Sequence, residues 1–96
     1  MEYTITHNNI AFVDAQAMSM NYSKTFEAPN KEDLDSIKIG DFVKICVNDE
    51  RFWVKVTDIK DDVITGQVDN DLVLNDKIKY NDTIDFPKKC IFAITE

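Results

Sequence analysis

The sequence predicts a small, mainly β protein of the α+β class: a strongly bent, SH3-like antiparallel barrel or meander of about five strands with one or two short N-terminal helices. Three observations carry that expectation. Val, Ile, Phe and Thr are plentiful while Leu is scarce, a balance that suits a pleated, half-buried surface. From residue 40 onward, short alternating runs are separated by Asn- and Asp-rich turns. The chain has 96 residues, enough for one domain and one core.

The chain divides near Lys38. Residues 1–38 read as a mixed N-terminal cover and residues 39–96 as the β-meander, together one domain. Tyr3–Thr6 alternates Thr with larger side chains and predicts a short strand. Asp14–Met20 predicts a helix with Asp14 as its N-cap. After Pro29, Asn30 caps a helical turn over Lys31–Ser36, whose first-turn acids suit the helix dipole. His7 falls in an Asn-rich stretch that reads as mobile.

The second part reads as strands and turns. The first strand is Asp41–Val47, followed by a polar four-residue connection, Asn48–Arg51. The second strand, Phe52–Ile59, leads through a turn at Lys60–Asp62 into the third, Val63–Val68. Gly66 within that strand marks a bulge or a close approach by another backbone. Between Asp69 and Asn81 the pattern allows short strands at Leu72–Leu74 and Lys77–Tyr80. The last strands are Thr83–Phe86 and Cys90–Ile94, separated by Pro87–Lys89.

Alternation assigns the inside to Val43, Ile45, Val47, Phe52, Val54, Val56, Ile64, Val68, Ile84, Phe86, Ile91 and Ala93. The opposite face of the first hairpin then carries Phe42, Lys44 and Cys46 beside Trp53, Lys55 and Thr57. Phe42, Lys44, Trp53 and Lys55 form the candidate binding surface, because a Trp flanked by Lys can anchor a protein or peptide. The competing expectation is that Phe12, Met18 and Met20 fold over Trp53 and bury it.

Four segments also resemble a known family. Ile39–Ile45, Glu50–Thr57, Ile64–Leu72 and Tyr80–Phe86 follow the order of a "G-D-x-V-K" strand, an "E-R-x-W-V-x-V" strand, an "I-x-G-x-x-x-N" strand and a late "G-D-x-I-x-F" strand. Together they are similar to the uncharacterised bacterial family called domain of unknown function 2314, over about residues 39–94. Asn81 stands where the pattern has its late Gly, and Asn also tolerates the positive φ such a turn needs. The resemblance implies a bacterial or phage origin and a small β-rich fold. It implies no activity.

The formal net charge is −7. That balance argues against direct binding to nucleic acid and against an anionic membrane surface. The N-terminus lacks the basic and apolar regions of a targeting segment, and Cys46 and Cys90 are read as reduced thiols, so a cytoplasmic location is expected. Both are placed within strands. Chemistry is thinly provided. His7 is the only histidine, the Asp69-Asn70-Asp71 and Asn75-Asp76 turns lack a calcium loop's Gly and distal Glu, and two glycines make no phosphate loop. The Asn and Asp side chains of those turns are expected to bond their own local backbone. No catalytic residue, metal or cofactor is expected, and the protein is read as a non-enzymatic interaction domain with an unknown protein partner.

Two alternatives follow from other features. Asp58, Asp61, Asp62, Asp69, Asp71 and Asp76 are read as concentrated on one side. That surface would suit an acidic inhibitor or immunity-type protein, a nucleic-acid mimic filling a basic groove. A small-molecule-binding barrel would need a pocket lined by Cys46, Trp53 or Tyr80.

Overall fold

The structure, a computed structural model, describes residues 3–22 and 27–95. Among the described residues, seven antiparallel strands form one sheet. They are β1 (Thr4–His7), β2 (Ile10–Val13), β3 (Phe42–Val47), β4 (Glu50–Lys60), β5 (Val63–Val68), β6 (Thr83–Pro87) and β7 (Ala93–Thr95). Two helices, α1 (Ala15–Asn21) and α2 (Lys31–Asp35), lie between β2 and β3. Strand order is β1-β2-β3-β4-β5-β6, with β7 added to β3. One edge of β3 is shared: β7 takes Phe42 to Lys44, and β2 meets Val47 through Phe12.

Both helix starts follow the sequence expectation. Asp14 Oδ1 accepts from the Ala17 N–H at 3.0 Å, and Asn30 Oδ1 accepts from the Asp33 N–H at 2.8 Å. Each satisfies a donor that the first helical turn leaves unpaired.

The turns explain where the sequence reading stopped short. Asn8 and Asn9 both hold positive φ, 49° and 67°, and so do Asn48 and Asp49, 50° and 64°. Two consecutive left-handed residues are the signature of the two-residue turn whose twist matches a β-hairpin. The Asn-rich N-terminal stretch is therefore a hairpin, with His7 paired to Ile10 in a ladder rather than mobile, and β2 was not anticipated. The connection after β3 is two residues, not four, since Glu50 already pairs with Val47 and Arg51 with Cys46. Asn81, at the position of the family pattern's Gly, has φ 71°.

The expected core is buried with one exception. Val43, Ile45, Val54, Ile64, Val68, Phe86 and Ile91 are completely enclosed, and Phe12, Leu34, Ile37, Ile78 and Cys90 join them. Ala93 is only half-buried. The cause is a 3-10 turn at Lys88–Cys90, which removes Cys90 from the expected strand and delays β7 to Ala93. Ala93 then pairs with Lys44 and shares its outer face, while Ile94 pairs with inward Val43.

Gly66 is both things its position implied. The ladder slips by one residue opposite it, leaving Thr57 as the extra residue between Val56 and Asp58. A Cβ at Gly66 would fall on Val54 Cγ1 and 2.6 Å from the Lys55 carbonyl oxygen.

The free edges of β1 and β6 approach each other. Asn8 Nδ2 donates to Asp85 Oδ2 at 3.2 Å, and the Phe12 and Phe86 rings lie 5.7 Å apart. No backbone ladder joins the two strands among the described residues. No helix is long and apolar enough to cross a membrane among those residues.

Candidate functional site

The inner pairs of the β3–β4 hairpin, Val43 with Val54 and Ile45 with Phe52, fix the outward direction of the pairs between them. Those outer pairs are Phe42 with Lys55, Lys44 with Trp53, and Cys46 with Arg51. The four candidate binding residues thus share one face, as alternation required. Lys44 Nζ lies 5.0 Å from the centre of the Trp53 ring, within reach of the attraction between an ammonium and an aromatic face. Arg51 repeats the arrangement, with its guanidinium carbon 4.9 Å from the Phe92 ring centre. The Phe92 N–H donates to the Lys44 carbonyl at 2.8 Å, which ties that ring to the hairpin.

Trp53 is partly exposed and Lys55 is exposed. Phe12 lies in the core against Phe86 and Met20 is 83% exposed, while half-buried Met18 belongs to α1. Ion pairs among the described residues are Lys31–Asp35 and Lys88–Asp35. Neither Lys44 nor Lys55 is taken up by a carboxylate within that set. Thr57 marks the bulge at the far end of the face. Cys46 does not belong to the accessible surface: it is 7% exposed, and burial pushes its thiol up against the opposing pull of Arg51. Cys90, likewise buried, is pushed up to about 12, first by burial and then by Asp14. Both thiols are poor nucleophiles at neutral pH.

The segment from Asp69 to Asp82 holds the back of this face. It forms neither of the short strands its pattern allowed. Its order comes from side chains instead. Asn70 Oδ1 accepts from the Trp53 N–H at 2.6 Å, and the Asp69 N–H donates to the Trp53 carbonyl at 2.9 Å. Asn75, 7% exposed, donates through Nδ2 to the Val47 carbonyl at 3.0 Å and accepts from Asn48 Nδ2 at 2.8 Å. These bonds reach across to the hairpin rather than to local backbone, which corrects the reading of the Asn and Asp turns.

Glu50 completes the anchor. Its carboxylate accepts from the backbone N–H groups of Val73 (2.6 Å), Leu74 (2.8 Å) and Asn75 (3.2 Å). The Val73 bond leads in holding its pKa below the ordinary value of 4.5, with burial opposing. A carboxylate with a depressed folded pKa stabilises the fold above its unfolded pKa and stops doing so as pH falls through the folded one. Amide protection at Val73 and Leu74 should therefore weaken in acid, below pH 4.5. Glu50→Ala should lower the same protection at neutral pH, by about tenfold or more. Unchanged protection in that variant, followed by hydrogen exchange, would contradict the anchor.

Asp61 and Asp62 form the β4–β5 turn, with Asp58 just before it, at one end of β4. Asp71 and Asp76 belong to the loop that Asn75 ties to Asn48, at the other end, and Asp69 lies beside Trp53. All six are exposed, with Asp58, Asp61 and Asp62 toward one end of β4 and Asp71 and Asp76 toward the other. Tyr80 borders an open depression with Asp71, Ile78 and Lys79.

A comparison with protein-family models, curated proteins and solved structures finds no match. The family resemblance thus stands on the strand motifs alone. Arg51 and Phe92 are the surface residues the sequence reading left out. Arg51 has the same parity as Trp53 and Lys55, a signal masked by the polar run Asn48–Arg51. Phe92 gave no comparable signal, because its position depends on β7 crossing to β3.

Proposed function

We propose that this protein is a non-enzymatic interaction module that binds a protein or peptide through Phe42, Lys44, Trp53 and Lys55. One observation carries the reading: a Lys44–Trp53 stack with Phe42 and Lys55 in the adjacent pair, all on the outside of a hairpin whose inner face is sealed. Aromatic and cationic side chains held together on rigid strands are the usual energetic centre of a protein contact. In the same reading the bent sheet is a small SH3-like barrel, supported at the β1–β6 seam by the Asn8–Asp85 hydrogen bond. Kinship with domain of unknown function 2314 belongs to the proposal and adds no activity to it.

The inhibitor reading asks for one continuous acidic face, and the placement of Asp61–Asp62 and Asp71–Asp76 at opposite ends of β4 gives it less support. A photo-crosslinking residue at position 55, introduced in the cells that make the protein, tests the choice. A discrete adduct there, lost in Trp53→Ala, is the expected result. Adducts from position 62 or 76 with position 55 silent would move the contact to the acidic ends and overturn it.

A further inference from the structure

A further cleft, of about 230 Å3, lies between the two helices and the end of β6, and none of Phe42, Lys44, Trp53 and Lys55 borders it. Its walls are built locally. β6 ends at Pro87, and the Lys88 N–H donates to the Asp62 carbonyl at 2.8 Å, which pins the 3-10 turn against the β4–β5 turn. α2 brings Lys31, Leu34 and Asp35 to one side, the i, i+3 and i+4 positions of a single helix face. Gln16 of α1 closes another side, held by the bond from its Nε2 to the Pro29 carbonyl at 2.7 Å. The surface so formed is mostly apolar, with Leu34 and Pro87 among its walls.

One wall carries a cation that the fold leaves incompletely matched. The Lys88 side chain is only 13% exposed, and its carboxylate partner, Asp35, offers Oδ1 at 3.9 Å, beyond hydrogen-bonding range. The other oxygen of Asp35 is already engaged by Lys31 Nζ at 3.1 Å. The Lys88 ammonium is not sealed in the interior, so it opens into the cleft it lines. An ammonium has three donors, and holding it largely out of water without a hydrogen bond is a cost that a ligand oxygen would relieve. The balance of charge points the same way. Lys31, Lys88 and Lys89 outnumber Asp35 and Asp62 along the cleft, in a chain whose net charge is −7. A surplus of one positive charge suits a monoanion better than a phosphate dianion. Size sets the rest. An apolar cavity of about 150 Å3 accepts benzene, so this one has room for a single ring with a carboxylate attached. We infer that the cleft binds a small monocarboxylate with a compact apolar body, its carboxylate on Lys88 and its ring against Leu34, Pro87 and Gln16. The site is independent of the contact face on the hairpin.

The test is an NMR titration of the full chain with three probes: phenylacetate, its neutral isostere phenylacetamide, and acetate, which keeps the charge without the ring. Phenylacetate should shift the amides of Gln16, Leu34 and Lys88 saturably, and bind about tenfold or more tightly than either of the others. Lys88→Met keeps the apolar stem and removes the charge. It should weaken phenylacetate by about tenfold and leave the resonances of the β3–β4 hairpin in place, while Lys88→Arg retains most of the binding. No saturable shift with phenylacetate, or equal binding of phenylacetamide, overturns the carboxylate site. Shifts centred on Trp53 instead, or binding that survives Lys88→Met, overturn its location. If Lys88→Met fails to fold, phenylacetate against phenylacetamide in the native protein, with the positions of their shifts, decides the inference.

Discussion

Phe86→Ala is expected to cost about 3–5 kcal/mol, the usual loss when a fully enclosed aromatic ring is truncated in a core that cannot collapse around the gap. Phe86 is completely buried on β6, and its ring meets Phe12 of β2 at 5.7 Å. The contact joins strands far apart in the sheet order, so it holds the bend rather than one local hairpin. A chain of this length has roughly 5–14 kcal/mol of stability in total, so the variant should be close to half-unfolded under mild stress. Denaturant midpoints of Phe12→Ala, Phe86→Ala and the double variant should show a coupling of about 0.5–1.5 kcal/mol. Strictly additive losses would mean that the two rings do not touch and that the sheet is flatter than described here.

Gly66→Ala is the second large effect. The substitution adds one carbon, yet that carbon would fall on Val54 Cγ1 and 2.6 Å from the Lys55 carbonyl oxygen. Neither neighbour can yield easily. Val54 is fully enclosed, and β5 is laddered on both sides, with Gly66 between Val56 and Ile84. Overpacking of this kind costs roughly 3 kcal/mol, with the bulge opposite Gly66 as the first element to distort. The melting temperature should fall by roughly 12–24 °C, at about 4–8 °C per kcal/mol for a domain of this size. Gly40→Ala offers the contrast, because nothing lies within 4 Å of a Cβ there and only the strain of its φ of 98° operates. Equal effects at the two glycines would refute the close approach.

How much of this was readable from residues can be seen element by element. The β3–β4 faces were legible because Val43, Ile45, Phe52, Val54 and Val56 alternate strictly, and alternation is a property of the backbone. Both helix caps were legible for a similar reason, since Asp14 and Asn30 act on donors three residues away. The β1–β2 hairpin was missed because Asn8-Asn9 lacks the Gly that usually announces a left-handed turn. The Asp69–Asp82 loop was missed because its bonds come from Glu50, Asn48 and Trp53, distant in sequence and close only after folding. The Arg51–Phe92 contact was missed for the same kind of reason, although Arg51 alone shares the parity of Trp53 and Lys55. Their stacking follows from where β7 crosses to β3, which alternation along a single strand cannot specify.

Trp53 is the only tryptophan in the chain, so its fluorescence reports on the outer hairpin face alone. Iodide and caesium reach an exposed indole by the same collisions but carry opposite charge, and cations beside the ring favour the anion. At matched ionic strength iodide should quench Trp53 more strongly than caesium, and a double change of Lys44→Glu with Lys55→Glu should remove or reverse the difference. Stronger quenching by caesium in the native protein, or an indole that neither ion reaches, would contradict an accessible cationic–aromatic surface on this hairpin.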